Sequence, residues 1–219
     1  MHPSWHVRLP GSFYTLIEEL VNAIIHGLGT LLALAGAAVL IVRAALTGDP
    51  WKTVSASIYS GALILLFLMS TLYHALIPAK AKGVFRVFDH AAIFLLIAGT
   101  YTPLTLVTLR GGWGWAIFGA VWGFGLLGIT LNAISVERYK RFSLICYLAM
   151  GWVVAVAIKP LLSLLPTGGL ALLALGGLAY TAGVYFYQKK NTRFMHSVWH
   201  VFVLAGAALH YFSILFYVV

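Results

Sequence analysis

Charge is the scarcest property of this sequence. Only 9% of its 219 residues are Asp, Glu, Lys or Arg, against about 25% in a soluble globular domain, so a water-clothed fold is excluded. A single cysteine, Cys146, lies in an apolar stretch; it can form no internal disulfide, reads as a small packing group and is silent about redox compartment. No Ser/Gly-rich linker or low-complexity tail divides the chain, and one compact bundle spanning residues 1–219 is expected. The opening stretch MHPSWHVRLPGSFYTLIEEL has no unbroken apolar region and no small-residue cleavage site. A removable signal peptide is therefore not expected, and the first span should act as its own insertion signal. Segments of alternating polarity are also lacking, which argues against a membrane β-barrel.

What the chain has instead is apolar length. Its residues are 62% hydrophobic and its mean hydropathy is +0.96, the composition of an integral membrane protein. Apolar runs bounded by Gly, Pro or charge fall at roughly 20–42, 54–77, 87–107, 113–134, 142–162, 168–187 and 196–218, each long enough to cross a hydrocarbon core of about 30 Å. The expected fold class is all-α, a bundle of seven transmembrane helices. Pro103, within GTYTPL at 99–104, predicts a kink whose freed carbonyl is satisfied by neighbours, and the many glycines suit close helix packing.

Basic residues in the connections orient the bundle. With the N-terminus inside, Arg8, Lys80, Lys82, Arg86, Arg138, Lys140, Arg141, Lys189, Lys190 and Arg193 face the cytoplasm, while Arg43, Lys52, Arg110 and Lys159 face out. Ten against four places the N-terminus in the cytoplasm and the C-terminus outside. Topology and anionic headgroups thus account for the net charge of +9. No nucleic-acid partner is needed to explain it.

Ionisable groups inside a span are costly and usually functional. Of the acidic residues, Glu18 and Glu19 lie just before the first run and Asp49 and Glu137 in loops, which leaves Asp89 alone within a span. His26, His74, His90, His196, His200 and His210 also fall within spans. Counted along their helices, all of these except His210 occupy one layer near the cytoplasmic face, whereas His210 lies roughly 15 Å farther out than His200.

His196 and His200 are four residues apart in MHSVWH and share one helical face, a spacing that suits two imidazoles on one metal ion. Ser70 and His74 have the same spacing in STLYH. Three histidines with one open position is the pattern of catalytic rather than structural zinc, and Asp89 could hold and deprotonate a water at the open position. Zincins place a glutamate beside the first histidine; here that position is Ser197, so a base must come from another helix. Three neutral nitrogen ligands favour zinc over other ions.

Three segments in order, EELVNAIIHGLG at 18–29, STLYHAL followed by FDHAAIF within 70–94, and HSVWH at 196–200, resemble the progestin/adipoQ receptor superfamily, specifically its bacterial hemolysin III branch. GTYTPL strengthens the branch assignment, and the resemblance covers nearly the whole chain. Together with the similar alkaline ceramidases, it implies that His74, His196 and His200 bind zinc, that Asp89 sits beside a bound water, and that Ser70 lies just behind. The family pattern Glu-x-x-Asn-x-x-x-His matches Glu19, Asn22 and His26, possible supports of the ligands. The extended soluble N-terminal region of the animal adiponectin receptors has no counterpart here, so hormone recognition is not implied.

Each residue has a plainer alternative. The histidines could be hydrogen-bonded across helices, Asp89 could pair with Arg86 one turn away, and Ser70 could bond back to the carbonyl of Leu66. Glu19, Asn22 and His26 could simply cap and pack the first helix. His90 faces about 100° from Asp89 and reads as structural; Trp113 and Trp115 read as interface anchors. The function expected is a zinc-dependent hydrolase in the cell inner membrane, acting on an amide or ester of a lipid-like substrate that arrives laterally from the membrane lipids. The alternatives are a non-enzymatic sensor or regulator with structural zinc, and a cytolytic pore. A pore would need a polar stripe along several helices, and outside the cytoplasmic layer these runs have little of one.

Overall fold

The computed structural model describes residues 12–189 and 192–219; Arg8 and Lys190 of the basic count lie outside them. The first helix, α1 (Leu16–Leu46), starts at a capping box: the Glu18 amide donates to Thr15 Oγ1 at 3.5 Å and the Thr15 amide to Glu18 Oε2 at 3.0 Å. It ends where Gly48 takes a φ of +71°, a left-handed turn that glycine adopts without strain. Asp49 then caps α2 (Pro50–Ala75) by accepting the Trp51 amide at 2.9 Å, with Pro50 in the first helical position.

The third helix, α3 (Ala79–Pro103), does not stop at its proline. It passes into a π-helical turn over Leu104–Thr108, and threonine hydroxyls cover the disturbed carbonyls: Thr102 donates to Ala98 at 2.9 Å and Thr105 to Tyr101 at 2.8 Å. This is the expected kink, widened into a turn.

The largest departure from expectation follows. Helix α4 (Gly112–Trp152) is interrupted only at Ser135, whose backbone is extended (φ −166°, ψ 109°), and no polar loop separates 113–134 from 142–162. Ser135 Oγ accepts the Arg138 amide at 3.3 Å, so one serine ends one helix and caps the next, and the basic residues 138–141 are helical. A 3₁₀ turn (Val153–Ala157), the short α5 (Ile158–Leu164), α6 (Thr167–Gln188) and α7 (Met195–Tyr217) complete the chain. Six helical stretches are long and apolar enough to cross a membrane, and no β-strand occurs among the described elements. This is a multi-pass, all-helical membrane protein.

Successive helices α1 to α4 pack against one another, α6 packs against α7, and α7 closes back on α1. Their shared core includes Leu40, Tyr59, Phe67, Phe94, Val121 and Ile214. Outward-facing Leu31 and Leu32 are 65% and 64% exposed, an apolar surface suited to lipid rather than water. Between α1 and α2 the approach is closest at Gly29, where a Cβ would lie 2.6 Å from the Phe67 ring. Glycine there lets two helices carrying site residues meet.

Candidate metal centre

Three helix ends converge on one point. The last turn of α2 carries His74, the first turns of α7 carry His196 and His200, and the start of α1 carries Glu19, Asn22 and His26. His74, His196 and His200 are all buried, and each offers a ring nitrogen within 4.8 Å of the others. His74 Nε2 and His200 Nε2 are 3.1 Å apart. A tetrahedral ion with bonds of about 2.0–2.1 Å holds its ligand atoms roughly 3.3–3.5 Å apart, so the three imidazoles fit a metal after a shift of an ångström or so. They could hold such an ion.

The groups behind them are equally ordered. His74 Nδ1 donates to Glu19 Oε2 at 2.5 Å, the carboxylate–histidine arrangement that fixes a ligand's tautomer and aims its other nitrogen. Glu19 Oε1 receives the Lys82 ammonium at 2.9 Å and the Ser12 hydroxyl. On α7, Ser197 donates to Asn22 Oδ1 at 2.6 Å. Ring packing orients the remaining imidazoles: Tyr14 stacks on His196 with centroids 4.6 Å apart, and His26 lies 3.8 Å from His200. Burial pushes the Tyr14 phenol above its ordinary pKa, so it stands over the cluster as a neutral cover. Phe194, ahead of α7, has a φ of +61°, a strained backbone for a bulky residue. Its amide donates to Glu18 Oε1 at 2.9 Å, which ties the start of α7 to the start of α1.

The cluster faces a cavity of about 160 Å³ whose walls include Ser70, Asp89, His196 and His200 and, beyond them, Leu96, Leu148, Val203 and Trp152. Asp89 does not pair with Arg86, because the Arg86 guanidinium is turned to Glu137. The nearest charge-bearing partner of Asp89 is His90 Nδ1 at 3.6 Å, whose own bond runs to the Arg86 carbonyl at 2.9 Å. Ser70 does not bond back to Leu66; its hydroxyl is buried without a hydrogen-bond partner among the described residues, as are both ring nitrogens of His26.

The sequence-expected residues His74, His196, His200, Glu19, Asn22 and His26 therefore meet at one point, with Ser70 and Asp89 on the adjoining cavity wall. Glu18 and Glu19, expected ahead of the first span, are instead buried within the first turn of α1, since the helix starts four residues earlier than its apolar run. Lys82, counted among loop cations, is buried in the first turn of α3. Its place seven residues, about two turns, before Asp89 was the available signal. Tyr14 and Ser12 precede the helix, and no periodicity marks them. His210, set apart from the cluster, lines the far end of the same cavity and donates from Nε2 to the Leu173 carbonyl at 3.1 Å.

A family model described as haemolysin-III related matches residues 14–211. The chain is 42% identical to Hemolysin-3 of Bacillus cereus over 201 residues, covering 92% of each chain. It is 43% identical to a Hemolysin-3 homolog of Bacillus subtilis (strain 168) over 206 residues, covering 94% of this chain and 97% of that one. It is also 31% identical to the human monocyte to macrophage differentiation factor, over 91% of this chain and 84% of that protein.

Proposed function

The chain belongs to the haemolysin-III-related family, the hemolysin III branch of the progestin/adipoQ receptor superfamily, and on that premise we propose that it is a zinc-dependent hydrolase of a lipid amide or ester, embedded in the cell inner membrane and serving membrane lipid homeostasis. The observation that carries the reading is a buried trio, His74, His196 and His200, two of which, His196 and His200, line an apolar cavity with a carboxylate and an unpartnered hydroxyl on its wall. His74, His196 and His200 would hold the zinc ion, which when bound would supply Lewis acidity toward a carbonyl and acidify water. Asp89 takes the proton of the attacking water and gives it to the departing amine or alcohol as that group's bond to the carbonyl carbon breaks. The Ser70 hydroxyl donates to the oxyanion that develops on the substrate. Glu19 holds His74 in place, and the apolar wall receives the substrate's chain and keeps bulk water out.

Access fits a lipid. Helices α4 and α6 meet along a thin seam, bridged by the Trp152 Nε1 bond to Thr181 Oγ1 at 3.1 Å, and the cavity is lined there by Leu148 and Trp152 from one helix and Gly177 and Thr181 from the other; a substrate arriving laterally would enter by parting this seam. The stretch Gly112–Leu164 runs for 53 residues, about 80 Å if continuous against a hydrocarbon core of about 30 Å. Broken at Ser135, it supplies two spans, which makes a single domain of seven. The N-terminus is then cytoplasmic and the C-terminus external by the distribution of basic residues.

The test is metal content followed by turnover. Purified protein is expected to carry about one zinc per chain, and His196→Ala or His200→Ala to abolish it, as two ligands cannot hold the ion against solvent. Full zinc in both variants defeats the site assignment. Wild type in nanodiscs should hydrolyse at least one member of a panel of acyl-amide and acyl-ester lipids faster than His74→Ala. Zinc-loaded wild type that matches His74→Ala on every lipid leaves a structural metal in a sensor or regulator as the function.

A further inference from the structure

Lys82 is the least expected component of this site. It is 1% exposed, within a helix bundle whose surroundings penalise an ammonium heavily unless it is fully paired. Its three protons have three acceptors: Glu19 Oε1 at 2.9 Å, the Tyr73 carbonyl at 2.7 Å and the Leu76 carbonyl at 3.4 Å. The two carbonyls close the end of α2, where helix geometry leaves oxygens without partners and favours a cation. They also flank His74 in sequence. One ammonium thus joins the first turn of α3, the last turn of α2 and the carboxylate that α1 delivers to His74.

Stability is a poor explanation for this arrangement, because a buried ion pair rarely outperforms apolar residues of similar volume. Geometry is a better one. The Glu19 carboxylate is divided, with Oε1 on Lys82 and Oε2 on His74 Nδ1. We propose that Lys82 is a positioning residue of the metal centre. By holding Oε1 and the α2 end together, it keeps Oε2 aligned on Nδ1 and His74 Nε2 aimed at the other two imidazoles. Without it Oε1 keeps only the Ser12 hydroxyl, so the carboxylate is held less firmly on His74 Nδ1, and His74 loses the anchor of its helix end. The proposal rests on the reading that the three histidines hold a metal.

The experiment is a double-mutant cycle on the purified full chain: wild type, Lys82→Met, Glu19→Gln and the pair. Zinc affinity is measured by chelator competition, and ligand geometry by the visible absorption of the cobalt(II)-loaded protein. Lys82→Met is expected to lower zinc affinity by about 10- to 100-fold, the usual effect of disturbing a ligand's support, and to alter the cobalt spectrum. The pair should be no worse than Glu19→Gln alone, because the lysine acts through the carboxylate. Lys82→Gln, which retains a donor for the Tyr73 carbonyl but not the charge, gives the same reading if Lys82→Met does not fold, and is likewise expected to lose affinity. Wild-type affinity in the lysine variants, or losses that multiply in the pair, overturns the proposal. Wild type that binds no zinc instead defeats the metal reading itself.

Discussion

Ser70 and Asp89 share a cavity wall, yet they are held in opposite ways. The Ser70 hydroxyl is buried with no partner among the described residues, a cost of about 1–3 kcal/mol in a folded protein, which is tolerable where a ligand supplies the missing bond. Arg86, one turn from Asp89, is paired with Glu137 instead, and Asp89 lies 3.6 Å from His90 Nδ1. If the protein is the proposed hydrolase, Asp89→Asn preserves shape and removes the base, so zinc content should stay near wild type while lipid hydrolysis falls by about 10²- to 10⁴-fold. Parallel loss of metal and activity in this variant would make Asp89 a support of the metal instead.

Helix α1 links packing to chemistry, because three successive turns of it carry Glu19 and Asn22, then His26, then Gly29. At Gly29 the neighbouring Phe67 ring is 2% exposed and meets His26 edge-on at a centroid distance of 5.2 Å, so it has nowhere to swing. Gly29→Leu should therefore push α1 from α2, at a cost of about 1–3 kcal/mol of overpacking, seen as a lowered melting temperature. It should also weaken zinc binding, because Glu19 on α1 and His74 on α2 would lose register. Melting and zinc affinity equal to wild type would show that the two helices are not held in register there. The capping box is a second device: Thr15→Ala should cost about 1 kcal/mol, read by thermal denaturation, and it also removes one hold on Glu18, which ties α1 to the start of α7.

Across the whole molecule, the arrangement of helices decides on which side of the membrane the site lies. If Ser135 divides the 53-residue stretch Gly112–Leu164 into two spans, the count is odd and the termini lie on opposite sides. Burial of Lys82 removes one cation from the surface count and leaves the bias intact, nine against four among the lysines and arginines. Reporters fused at the N-terminus should be active in the cytoplasm and those at the C-terminus outside it. Cytoplasmic activity at both ends would mean that the long stretch does not cross twice, and would move the histidine layer relative to the bilayer.

Membrane residence, helical class and the pairing of His196 with His200 were legible from the chain alone, because each depends on local quantities: the transfer preference of short windows and a spacing of 3.6 residues per turn. The continuous helix through residues 136–141 was not, since a polar, basic stretch looks like a loop unless the capping bond from Ser135 is seen. Nor was the exchange of partners that sends Arg86 to Glu137 and Lys82 to Glu19. These pairs join residues 51 and 63 positions apart, and their choice depends on the rotation and register of neighbouring helices. Close contacts such as Gly29 on Phe67 set that register, and it has no counterpart in local periodicity. The histidines mark a candidate metal site; which carboxylate holds His74, and what holds that carboxylate, follows from how the helices pack.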